Sequence, residues 1–156
     1  MTENTIYVIR VTFTPLNDIV IPVFSSKFSY TMLRELLAEE LKKFIDEKHS
    51  SREPLKPYRV SVVFNAKGKA LYKTARSKRI FVLKRGELYW FTSTMILDSF
   101  QAYPVIPKSN IKTKLGEVEL VDLKVMVKYF EDLISCDHIG NLRILFLTPT
   151  LLSAKL

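Results

Sequence analysis

A chain of 156 residues suffices for one domain with a real core, and a hydrophobic fraction of 47% argues against disorder. A single cysteine, Cys136, excludes an internal disulfide framework and a cysteine-rich zinc site, and fits a reducing, cytoplasmic setting. With 24 Lys and Arg against 16 Asp and Glu, the formal charge of +8 favours a polyanionic partner, nucleic acid first and an anionic membrane surface second.

The first five residues are polar and lead straight into a strand, unlike a signal peptide. That strand, residues 6–13, puts Tyr7, Ile9, Val11 and Phe13 on one face and Ile6, Val8, Arg10 and Thr12 on the other. Pro15 ends it, residues 19–23 are a short extended stretch, and residues 25–27 a turn. A helix over residues 30–48 follows, because Leu33, Leu36, Leu37, Leu41, Phe44 and Ile45 recur at helical spacing. Residues 49–54 are a loop, 58–64 a strand and 65–68 a turn. Residues 80–83 and 88–94 suggest a hairpin about Lys84-Arg85-Gly86-Glu87. Residues 95–102 read as a short second helix closed by Tyr103-Pro104, and 111–123 as an extended stretch bent near Gly116. Residues 124–134 are open between strand and helix, with 129–134 favouring helix. Residues 142–147 form a last strand.

The order strand, helix, strand, strand, helix, strand implies an α+β fold. It is the βαββαβ order of a ferredoxin-like antiparallel sheet with helices on one face, here with an extra C-terminal strand. No linker or repeat divides the chain, so residues 1–156 are expected to be one domain. No apolar run is long enough to span a bilayer, and with 4 glycines there is no Gly-rich phosphate loop. After the last strand Thr148-Pro149-Thr150 intervenes, and an apolar segment begins at Leu151 and stops at Leu156. The expectation is the front part of a longer architecture, or an apolar end covered by a second copy or a partner chain.

Between Pro54 and Gly86 there is no Asp or Glu, while Lys56, Arg59, Lys67, Lys69, Lys73, Arg76, Lys78, Arg79, Lys84 and Arg85 fall in that window. A run of one sign attracts phosphates, and these side chains are expected to hold an RNA or DNA backbone without reading its sequence. Tyr58, Tyr72, Phe81, Tyr89, Trp90 and Phe91 are candidate stacking platforms, although residues 89–91 alternate faces and must give at least one to the core. The two histidines, His49 and His138, lie far apart with no carboxylate ligand pattern, which disfavours a metal site. RNA cleavage by the adjacent 2′-hydroxyl needs only a base, an acid and cations. His49 and Lys56 are of the right types, while an ordinary solvated loop histidine is the bland alternative.

Residues 146–155, Phe-Leu-Thr-Pro-Thr-Leu-Leu-Ser-Ala-Lys, resemble the Phe-x-[Ser/Thr]-Pro-Thr signature of the CRISPR-associated endoribonucleases that process repeat RNA, in the repeat-associated (RAMP) superfamily. Ile19-Val20-Ile21-Pro22 and Ser25-Ser26-Lys27 before the first helix, and Lys56-Pro57 before a strand, resemble the archaeal branch found in Sulfolobus-like organisms. The resemblance implies two ferredoxin-like domains, of which this sequence holds the first. It implies cofactor-free, metal-independent cleavage of CRISPR repeat RNA, or of another single-stranded or hairpin RNA, to a 2′,3′-cyclic phosphate. Of the Tyr, His and Lys that many members carry, the Tyr position falls near Ala38 and is missing, the His corresponds to His49 and the Lys to Lys56. The archaeal branch relies on lysines that match Lys27 and Lys56. The alternatives are a non-catalytic module that binds RNA or a protein of a CRISPR RNA-guided complex, and an inactive fragment.

Overall fold

A computed structural model describes residues 5–52, 56–72, 80–98 and 104–129. In chain order they form β1 (Thr5–Pro15), β2 (Ile19–Ile21), α1 (Ser26–Leu36), α2 (Glu39–Ser50), β3 (Tyr58–Val60), β4 (Phe64–Asn65), β5 (Phe81–Leu83), β6 (Tyr89–Leu97), β7 (Asn110–Thr113) and β8 (Gly116–Tyr129). The main sheet runs β3-β6-β1-β8-β7, with β4 also paired to β6, and β2 and β5 make a separate pair. All these pairings are antiparallel. The mixed α/β architecture fits a ferredoxin-like kind of fold.

The alternation expected in β1 is present. Tyr7, Ile9, Val11 and Phe13 are fully buried beside Phe91 and Met95 of β6, and Phe28, Met32, Leu33 and Leu36 of α1 with Leu41 and Ile45 of α2 complete the core on that face. Phe13 is central, with ring centroids 5.9 Å from Phe28 and 6.3 Å from Phe91. Burying a side chain of this size contributes roughly 1.5–3 kcal/mol. In β8 the register against β1 slips between Thr12 and Phe13, so Val121 is an extra residue. The bulge keeps Val118 and Leu120 on the core face while Asp122 and Lys124 lie on the other.

Several expectations are corrected. The single helix over 30–48 is two helices, and the turn at 25–27 is the start of α1, with Ser25 as its N-cap. Leu37 is extended and bridges Val105; Leu36 accepts from the Ile106 N–H at 2.7 Å, and the Ala38 N–H donates to Pro104 at 3.3 Å. A distant segment thus takes the backbone groups that a continuous helix would use, and no proline or glycine marks the break. Strand 58–64 divides into β3 and β4 because residues 60–64 span one position more than their β6 partners. The Ser61 hydroxyl accepts from the Thr92 N–H at 2.9 Å, filling the gap in the ladder. The turn about Lys84–Gly86 exists, but β5 pairs with β2 instead of β6. Residues 95–97, assigned to a helix, are the end of β6, paired with β1 and β3. Residues 111–123 fold into the β7–β8 hairpin, and β8 continues through Tyr129. The last strand at 142–147, the helix at 129–134 beyond Tyr129, and the apolar end lie outside the described residues. Among the described residues, no helix is long and apolar enough to cross a membrane.

Candidate active site

At the β3 edge of the sheet a cleft of about 580 Å³ opens between the two helices and the strand. The first turns of α1 supply Ser26, Lys27, Tyr30 and Thr31, the last turn of α2 supplies His49, and the approach to β3 supplies Lys56, Tyr58, Arg59 and Val60. Among the described residues, three cations and one imidazole line it, and no carboxylate does. Among the described residues, none of the three cations forms an ion pair. The cleft also receives the N-terminal end of α1, whose first turn carries no acidic residue to offset its positive dipole.

Each functional side chain is held by its own element. Ser25 anchors the start of α1: its hydroxyl donates to the Leu71 carbonyl and accepts from the Val63 N–H at 2.9 Å. That places Lys27 at the cleft mouth. Lys56 is fixed by the residue that ends α2, since its ammonium donates to the Ser51 carbonyl at 2.6 Å and to the Ser51 hydroxyl at 2.9 Å. An ammonium has three donors, so among the described residues one N–H of Lys56 is left without a partner.

His49 sits in a cluster of aromatic rings. Tyr30 stacks on it with centroids 5.1 Å apart and planes at 27°, and Tyr30 also lies 6.2 Å from Tyr58. The Tyr58 hydroxyl is 2.9 Å from His49 Nδ1. Tyr30 in turn donates to Asp46 Oδ1 at 3.3 Å, and Asp46 is gripped by Arg34 at 2.7 Å. Burial first, then the neighbouring Tyr58 and Asp46, pushes the Tyr30 phenol up to about 12, so it stays protonated near neutrality. Burial also raises Tyr58. The Arg34 guanidinium holds the Asp46 carboxyl below its usual value.

The structure therefore brings together Lys27, His49, Lys56 and Arg59, which the sequence separates by up to 32 positions. Lys67 lies elsewhere, lining a smaller cavity with Asn65, Gly86 and Glu87. Lys67 and Lys69 are exposed on a turn whose N–H groups both donate to Asn65 Oδ1, at 3.1 and 2.9 Å. Lys73, Arg76, Lys78 and Arg79 lie outside the described residues, as does His138. Of the aromatic candidates, Tyr89 and Phe91 are core, while Trp90 turns to the opposite face, stacked on Phe64 at 4.3 Å and covered by Arg10.

Sequence reasoning missed Tyr30 and the role of Tyr58 beside His49. The family's tyrosine position, matched to Ala38, reads as missing; Ala38 is the N-cap of α2, and the tyrosine of α1 that reaches the cleft is Tyr30. A helix assumed continuous places residue 30 wrongly relative to residue 49, so helical spacing alone could not pair them.

No curated protein matches the chain. The Cas6 N-terminal domain family matches residues 7–128, a span that contains every cleft residue and runs from β1 almost to the end of β8. With most of its length matched, the chain belongs to the Cas6 N-terminal domain family, a CRISPR-associated family of repeat-RNA processing proteins.

Proposed function

We propose that the cleft holds the scissile phosphate of CRISPR repeat RNA and supports its cleavage without metal or cofactor, through the adjacent 2′-hydroxyl. In that reaction the P–O2′ bond forms as the P–O5′ bond breaks. The 2′ proton passes to a base, the departing 5′ oxygen takes one from an acid, and a 2′,3′-cyclic phosphate remains. His49 moves one of these protons. Lys56 and Lys27 offset the charge that builds on the phosphoryl oxygens, and Arg59 holds the neighbouring backbone. Lys67 and Lys69, with Lys73, Arg76, Lys78 and Arg79, extend the electrostatic hold on RNA.

The observation that carries this reading is the convergence of Lys27, His49 and Lys56 in one cleft, lined by no carboxylate among the described residues, in a repeat-RNA processing family. The test is incubation of the full chain with end-labelled repeat RNA in EDTA. A single cut leaving a cyclic phosphate, slowed about 100-fold or more in Lys56→Ala, is expected. Binding without a cut would assign the cleft to RNA recognition alone. Cleavage that EDTA abolishes would overturn the metal-independent mechanism.

A further inference from the structure

Among the described residues His49 is the one imidazole in the cleft, and its usefulness depends on which ring nitrogen meets the RNA. The stack on Tyr30 fixes the plane of the ring but not its flip. A half-turn about the terminal side-chain torsion exchanges Nδ1 with a ring carbon and leaves the stacking unchanged, because that torsion is two-fold and broad. Only a directional bond separates the two orientations, and the Tyr58 hydroxyl, 2.9 Å from Nδ1, makes it.

We infer that Tyr58 is a positioning residue for His49: its hydroxyl donates to Nδ1, selects one flip of the ring, and keeps the proton of the neutral imidazole on Nε2. Tyr58 is 8% exposed and packs in the core, so its own placement comes from β3 and not from the RNA. A phenol is a good donor and an unprotonated ring nitrogen a good acceptor. The one bond satisfies the Tyr58 O–H and His49 Nδ1 together. Neutral His49 then presents Nε2–H to the cleft as a donor. That suits a hydrogen bond to the phosphoryl oxygens and, once the ring is the imidazolium, release of the Nε2 proton to the departing 5′ oxygen, while it does not suit removal of the 2′ proton. When Nδ1 is also protonated, the same hydroxyl can turn and accept, so the ring orientation survives a change of charge. Tyr30 cannot replace this contact, since its hydroxyl is directed to Asp46.

This inference rests on the proton-moving role proposed for His49, and its test separates the two. The full chain contains two histidines, so a His138→Gln background leaves one set of imidazole resonances. In that background, Tyr58→Phe keeps the ring and its packing while deleting the hydroxyl. The expected results are a clear move of the His49 Nδ1 nitrogen resonance on deletion, an unchanged affinity for repeat RNA, and a single-turnover cleavage rate lower by about tenfold. An unmoved nitrogen resonance would overturn the inference, because no hydrogen bond would then have been lost. So would an unchanged rate in Tyr58→Phe when His49→Ala is inactive. If His49→Ala cleaves normally, the catalytic role of His49 fails, and the resonance alone decides whether Tyr58 orients the ring.

Discussion

Lys56 has the best-defined surroundings of the cleft cations. Two of its donors are spent on Ser51, a geometry that suits a compact ammonium and not a planar fork. Lys56→Arg is therefore expected to restore little of the cleavage lost in Lys56→Ala, which single-turnover assays of both variants would show. A charge-only role would instead predict near-full rescue. Tyr30 offers a second residue-level prediction. Its folded pKa of about 12 lies above the ordinary phenol value of 10.0. The stability that goes with the protonated phenol is thus complete below pH 10 and is lost as pH rises toward 12. An ultraviolet titration of tyrosinate should contain late-titrating groups, Tyr30 among them, and Asp46→Ala should lower Tyr30 only part of the way, because burial, the largest cause, remains. Asp46 has the opposite sign. Its depressed pKa makes the Arg34 contact stabilising above the ordinary carboxyl value of 3.8, with the contribution lost as pH falls through the lower folded value. Because both partners are nearly half exposed, the pair is worth no more than about 0.2–1 kcal/mol.

At the level of elements, the site depends on how α1 is docked. Ser25 is fully buried, and its hydroxyl joins α1 to Val63 and Leu71 on both sides of the β4 turn. Ser25→Ala leaves a buried N–H and a buried carbonyl without that partner. A loss of about 1–3 kcal/mol in urea unfolding is expected, and a loss near zero would show that water replaces the hydroxyl. Lys27 lies on the adjoining turn, so RNA affinity should fall in the same variant. The amphipathic stripe of α1 and α2 was legible because buried Leu33, Leu36, Leu41 and Ile45 follow helical spacing. The break at Leu37 was not, because its cause is the bridge to Val105. Likewise β5 has the residues of a hairpin arm, yet it pairs with β2. The turn before β6 is held by Asp18, which accepts from the Lys84 ammonium at 2.7 Å and the Arg85 N–H at 2.9 Å. A short strand can satisfy its ladder with either neighbour, and contacts far away in sequence choose.

Across the whole molecule, the charge of +8 and the cluster of cleft cations favour a polyanionic partner. If the cleft cations carry it, the logarithm of affinity should fall with the logarithm of salt with a slope of about −2, at about 0.7 per cation on single strands. Lys27→Ala should flatten that slope by about 0.7, and a response already flat in the unaltered protein would remove the cleft from the binding surface. Packing between the two sheets is equally specific. A Cβ at Gly116 would meet Ile19 Cγ1 at 2.6 Å. Gly116→Ala should therefore cost about 1–3 kcal/mol in thermal or urea unfolding through overpacking where β8 meets β2. By itself, the sequence determined the buried face of β1, the amphipathic character of the helical region and the acid-free basic run. These are properties of residue type and short-range period, which the chain carries wherever it goes. Only the tertiary structure decided that the helix divides, that Lys27 meets His49 and Lys56 across one cleft, and that Tyr30 and Tyr58 brace the imidazole. Those outcomes depend on which backbone groups and rings are brought together from distant segments, and no local pattern encodes that choice.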